Sequence, residues 1–126
     1  KLSILLKADG LYISAHNWNL RLAKLKKYNF KIIGAAHDIK ELNIKILQGC
    51  SDIIFSRLFK VSYPFKKDYL GVVKFNLFGL TRKTNLVPLG GINLDNLNKL
   101  KMVKSRSFAL LSEIKKKPVK IFNRLF

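Results

Sequence analysis

Acidic residues are scarce in this chain. Only 7 of its 126 residues are Asp or Glu, against 25 Lys and Arg, so the formal net charge is +18 and the isoelectric point lies near 10.3. There is one cysteine, Cys50, which excludes an internal disulfide framework and the usual cysteine-rich zinc sites and fits a reducing, cytoplasmic compartment. No apolar run approaches the roughly 18 residues that span a bilayer. The opening Lys1–Lys7 has too short an apolar core for a signal peptide and no small-residue cleavage site behind it. The chain does not begin with methionine, so Lys1 is not expected to be the natural start. What remains is ample for a core: 48% of residues are hydrophobic and 11% aromatic, unlike a disordered polybasic tail. One small domain over residues 1–126 is the expectation.

A basic surface is what a nucleic-acid binder needs. Here lysine far outnumbers arginine and basic residues run along the whole chain, a pattern that also describes a merely solvated surface. No specific nucleic-acid role is assigned. The densest group, Lys115, Lys116 and Lys117 with Lys120 and Arg124, punctuates the apolar residues Val119, Ile121, Phe122, Leu125 and Phe126. It reads as a last helix packing on a domain rather than a membrane-surface helix.

Short β-type runs alternate with longer segments of helical period, the pattern of repeated βα units and a parallel sheet. Strands are expected over Ala8 to Ser14, Phe30 to Ala36, Ser51 to Ser56, Leu86 to Leu89 and Ser107 to Leu111. Helices are expected near Trp18 to Tyr28, from a cap at Asp38 to Leu47 with Glu41 at the capping-box position, near Leu70 to Leu80, from Asn93 or Asp95 onward, and after Ser112. Arg57 to Tyr69 is the longest irregular stretch, and long loops are often functional. The polar candidates fall at the carboxyl ends of strands, as in a (β/α)8 TIM barrel whose active site is built from βα loops. A closed barrel needs about 200 or more residues, so the fold expected is α/β, a TIM barrel of which this chain carries about the last five βα units. An open doubly wound sheet is the other arrangement such units allow.

Gly90 and Gly91 close the fourth strand. Glycine there removes side chains from a strand-to-helix turn and exposes backbone amides, which with a following helix start make an anion site. The same residues suit a tight turn that needs glycine for its backbone angles alone. Ser112, at the end of the next strand, adds a hydroxyl.

Taken in order, these strand ends resemble the thiamine phosphate synthase and thiazole tautomerase (TenI-type) family. Ala8 to Ile13 is similar to its alanine-aspartate-glycine strand, Ile32 to His37 to the strand that ends in histidine, and Gly49 to Phe59 to its glycine-alanine-aspartate strand and glycine-proline loop. Pro88 to Ile92 and Ser107 to Ile114 are similar to its last two strands. The resemblance implies a cytoplasmic transferase of thiamine biosynthesis that couples hydroxymethylpyrimidine pyrophosphate to thiazole phosphate with Mg²⁺ and releases pyrophosphate. It leaves room for a homo-oligomer. It places phosphate on Gly90, Gly91, Ile92, Leu111 and Ser112, and the pyrophosphate and catalytic side on Lys60 and Ser62, with Lys66 nearby. In the tautomerase branch His37 would carry a proton, a task suited to an imidazole; by its residues alone it makes one hydrogen bond at a helix start.

The departures are as specific as the matches. Asn17 stands where the family has a metal-binding aspartate, Ala35 where it has a serine, and Arg57 to Tyr63 replaces its threonine- and lysine-bearing pyrophosphate loop. The strand that supplies the remaining pyrophosphate contacts would precede Lys1. These departures keep open a thiazole tautomerase-like enzyme and a non-catalytic relative that binds thiazole phosphate. Cys50 reads as a packing residue, and Asp9 and Asp52, at strand starts, as caps or ion-pair partners.

Overall fold

A computed structural model describes residues 5–61 and 68–110. Four strands, β1 (Gly10–Ile13), β2 (Lys31–Ala36), β3 (Asp52–Ser56) and β4 (Asn85–Leu89), form one parallel sheet in the order β1-β2-β3-β4. Each crossover therefore returns the chain to the strand immediately beside the last. A doubly wound sheet reverses direction part-way; this one does not, and sequential order is how a barrel wall grows. The fifth strand is represented by one parallel bridge, Leu89 to Ala109, closed by the Ala109 amide on the Pro88 carbonyl at 2.9 Å.

Register decides which residues meet the helices. Tyr12 pairs with Ile33, Ala35 with Ile54, and Ile54 with Val87, so these share one face. Ile13, Ile32, Ala36, Ile53, Phe55 and Leu86 share the other and are buried, because side chains alternate along a strand. Against that second face pack α1 (Ile39–Leu47), through Leu42, and α2 (Gly71–Leu80), through Phe75 and Phe78. Phe55 sits between the two aromatics of α2, with ring centroids 6.3 Å from Phe75 and 5.8 Å from Phe78. Asp38 caps α1 as its sequence suggests, accepting from the Glu41 amide at 2.8 Å.

Two of the expected helices take another form. The segment Leu20–Tyr28 winds as a 3₁₀ helix with no buried residue, and the one expected from Asn93 or Asp95 is a six-residue 3₁₀ segment, Leu97–Met102. The first buries no residue fully and the second only Leu97, and tertiary packing is what normally holds a short helix in the α form. The expected helix after Ser112, with its lysine cluster, lies outside the described residues, as do Ser62, Lys66, Leu111 and Ser112.

Candidate functional site

Parallel strands in sequential order bring their four carboxyl ends to one rim. Asn17 follows β1, His37 follows β2, Arg57 follows β3, and Gly90 and Gly91 follow β4. Three strand spacings of about 4.8 Å separate the end of β1 from the end of β4 along the sheet.

At the β4 end the backbone is held from two sides. The Leu58 amide donates to the Leu89 carbonyl at 2.9 Å and the Phe59 amide to the Gly90 carbonyl at 3.0 Å, so the start of the loop after β3 runs as a short ladder beside the turn. On the other side the Asn96 side-chain amide donates to the Gly91 carbonyl at 2.7 Å, while its Oδ1 accepts from the Asn93 amide at 2.9 Å. Both glycines have positive φ, +96° and +69°. A side chain on Gly91 would overlap the backbone of Phe59 and Lys60. Glycine is thus required by close approach as well as by angle. With both carbonyls engaged and the Gly90 amide facing the Ala109 carbonyl in the parallel bridge to the fifth strand, the amides of Gly91 and Ile92 are the ones that donate to no acceptor among the described residues. The Ile92 side chain is buried, so what it offers a ligand is its backbone. The helix dipole expected here is missing, since the following segment is short and begins only at Leu97.

Lys60 is exposed on the loop that covers Gly91. Arg57 lies with its Cα, Cβ and Cγ against Gly90, and its Nη1 is buried with no hydrogen-bond partner. Sequence reasoning passed over both Arg57 and Asn96. The signal for Asn96 is faint, an asparagine pair with Asn93 just after the glycines.

At the β2 end Glu41 reaches back from the first turn of α1 and accepts twice from His37, from the backbone amide at 2.8 Å and at Nδ1, 3.0 Å away. The capping box therefore closes one residue earlier than the motif predicts, on His37 rather than Asp38. The carboxylate occupies Nδ1, leaving Nε2 for a ligand. His16 stacks on the imidazole at 6.3 Å between centroids. Ala35, beside them, is half-buried and offers no polar group.

Asn17 belongs to the loop after β1, which is tied down by buried groups of α1. Lys45, fully buried, donates to the Asn17 carbonyl at 2.6 Å and to Gln48 Oε1 at 3.0 Å, and Gln48 Nε2 donates to the same carbonyl at 2.9 Å. Burial lowers the affinity of Lys45 for its proton, against an opposing pull from Cys50 and Glu41. The Lys45 stem and the Cys50 sulfur pack where a Cβ on Gly34 would sit. Burial also pushes the Cys50 thiol up, so it stays protonated and acts as packing. Asn17 Oδ1 already accepts from the Asn19 amide at 3.0 Å. Among the described residues no three His, Cys, Asp or Glu gather as a metal site. One neutral oxygen beside a buried ammonium is a poor host for Mg²⁺, which favours carboxylates, so the described residues do not make a magnesium site.

An open cleft of about 880 Å³ lies at the opposite end of the sheet, lined by the strand starts Lys31, Asp52 and Asn85. These three satisfy one another. Asn85 donates to Asp52 at 2.7 Å and Lys31 approaches it at 3.6 Å. The Asn85 amide, with the Ser51 hydroxyl and Lys31, holds the Asp52 carboxyl below its ordinary value although partial burial opposes it. This is the ion-pair role expected of Asp52. Asp9 contributes its carbonyl, which accepts from the Lys31 amide at 3.1 Å. Among the described residues no helix is long and apolar enough to cross a membrane.

No family model matches the chain. Over 116 residues it is 30% identical to a thiamine-phosphate synthase of Prochlorococcus marinus, an alignment covering 90% of this chain and 33% of that protein. The chain thus spans about a third of the length of that curated relative. Among solved structures it is similar to a thiamine phosphate pyrophosphorylase from Pyrococcus furiosus, with a TM-score of 0.66 at 18% identity, covering 99% of this chain and 64% of that one. The structural likeness bears out the fold, part of a TIM barrel. The curated relative bears out the resemblance to the thiamine phosphate synthases.

Proposed function

We propose that this chain, a relative of the thiamine phosphate synthases, supplies the thiazole phosphate half of a site that joins a pyrimidine pyrophosphate to thiazole phosphate. In that reaction the thiazole nitrogen forms a bond to the pyrimidine methylene carbon as the carbon–oxygen bond to pyrophosphate breaks. The observation that carries the reading is the Gly90–Ile92 turn. The unengaged amides of Gly91 and Ile92 sit at the carboxyl end of β4, on the same rim as His37 and beside the loop that bears Lys60. Phosphate on that turn fixes one end of the thiazole. Lys60, with Ser62 further along its loop, would meet the negative charge that grows on the departing pyrophosphate. Leu111 and Ser112 would complete the phosphate cradle from the fifth strand. Mg²⁺ is part of the reaction in the synthases that the sequence resembles; at Asn17 this chain offers it a single neutral oxygen.

The test is to incubate the chain with hydroxymethylpyrimidine pyrophosphate, thiazole phosphate and Mg²⁺ and to follow both pyrophosphate release and thiamine phosphate. Equal amounts of the two products are expected. If thiazole phosphate binds in a calorimeter but no pyrophosphate appears, the chain is a binding relative and the transferase reading fails.

The His37 geometry favours a second reading. A carboxylate on Nδ1 and a free Nε2 suit a proton carrier, and a thiazole tautomerase would need no metal. Its activity would persist with chelator and disappear in His37→Gln. Either reaction handles small phosphorylated metabolites of thiamine biosynthesis, which accords with a cytoplasmic location and with a homo-oligomer that needs no nucleic-acid or membrane partner.

A further inference from the structure

Arginine keeps its charge at any physiological pH and offers five donors. A buried donor left without an acceptor is costly, and more so when the group is charged. Arg57 is in that condition: its Nη1 is buried and unpartnered, while the start of its side chain is pressed against Gly90. The backbone gives it little freedom to leave, because its carbonyl accepts from the Leu70 amide at 2.9 Å and the next residue is laddered onto Leu89. Among the described residues no carboxylate pairs with it: Asp52 is paired with Lys31, and Glu41 is bonded to His37. The root of the Arg57 side chain stands against a turn whose Gly91 and Ile92 amides are unengaged among the described residues. A cation rooted at a turn with free amides calls for an acceptor with several oxygens.

We propose that Arg57 is a binding residue for the phosphate group seated on the Gly90–Gly91 turn, its buried guanidinium nitrogen donating to a phosphate oxygen. This rests on the phosphate assignment made above and adds to it a side chain that distinguishes a doubly charged phosphate ester from its alcohol. Lysine could deliver the charge without the planar fork. The turn and Arg57 then act together, the amides orienting the oxygens and the guanidinium neutralising them.

The experiment titrates the wild type, Arg57→Lys and Arg57→Met with inorganic phosphate, following heat and the phosphate-induced rise in melting temperature. Arg57→Met should bind phosphate about tenfold to a hundredfold more weakly, and Arg57→Lys should fall between. Without phosphate, Arg57→Met should melt no lower than wild type, since a buried donor without an acceptor has been removed. If Arg57→Met binds as tightly as wild type, Arg57 is not a ligand while the phosphate turn stands. If wild type itself neither binds phosphate nor melts higher in it, the phosphate assignment falls and this inference with it. Should Arg57→Met not fold, the arginine Nε–H resonance missing from Arg57→Lys is followed in wild type. It should shift as phosphate is added, and a stationary resonance overturns the proposal.

Discussion

Asn96 holds the Gly91 turn by two hydrogen bonds, and removing them tests whether that turn is a built anion cradle or a passive bend. In Asn96→Ala the Gly91 carbonyl loses a donor at 2.7 Å and the Asn93 amide an acceptor at 2.9 Å. Both bonds are partly buried. At a net of about 1 kcal/mol each, the variant should be about 2 kcal/mol less stable, a factor of about 30 in the folding equilibrium. Asn96→Asp separates the two bonds. Its carboxylate still accepts from Asn93 but cannot donate to Gly91, and an anionic oxygen would face a carbonyl beside the expected phosphate. Urea unfolding followed by circular dichroism reads the stability; calorimetric titration with inorganic phosphate reads the cradle. Both variants should lose stability, and Asn96→Asp should bind phosphate more weakly than Asn96→Ala. If Asn96→Ala stays within about 0.5 kcal/mol of wild type with unchanged phosphate affinity, the turn does not depend on Asn96 and the reasoning is wrong.

Three further outcomes are expected. Gly91→Ala should cost upwards of about 3 kcal/mol, since a Cβ there meets the Phe59 and Lys60 backbone, while Gly71→Ala, at the similar φ of +74° with nothing within 4 Å, should cost only about 1 to 2; equal melting temperatures for the two would show that close approach at Gly91 is unimportant. Asp52 has a depressed folded-state pKa, so its contribution is present above the ordinary carboxylate pKa of about 3.9 and is lost as pH falls through the lower folded value. The stability lead of wild type over Asn85→Leu should therefore narrow below about pH 4, and a gap constant from pH 7 downward would contradict the coupling. Asn17→Asp keeps the acceptor used by the Asn19 amide and adds a carboxylate. It should bind Mg²⁺ several-fold more tightly in a calorimetric titration, and no gain would detach position 17 from the metal side.

Local patterns in the sequence foretold much of the fold and the rim. Alternating short β runs and helical stretches marked all four strands and α1 and α2 to within a few residues, because hydrophobic periodicity is written residue by residue. Asp38 announced its cap in the same way, and Gly90 and Gly91 their turn. The chain's own residues therefore determined that it builds parallel βα units with polar groups at the strand ends. Periodicity does not encode which strand lies beside which, so sheet order, and with it the choice of barrel wall over doubly wound sheet, belongs to the tertiary structure. Burial of Lys45 is settled by the carbonyl of Asn17, 28 residues away along the chain. The grip of Glu41 on His37 depends on how α1 meets β2, and the 3₁₀ form of two connections on how little apolar surface each had to bury. Arg57 reads in the sequence as one more cation among 25. Only the approach of β3 to β4 turns one of its nitrogens into a buried, unpartnered donor beside a glycine turn, since desolvation is a property of the packed neighbourhood and not of the residue.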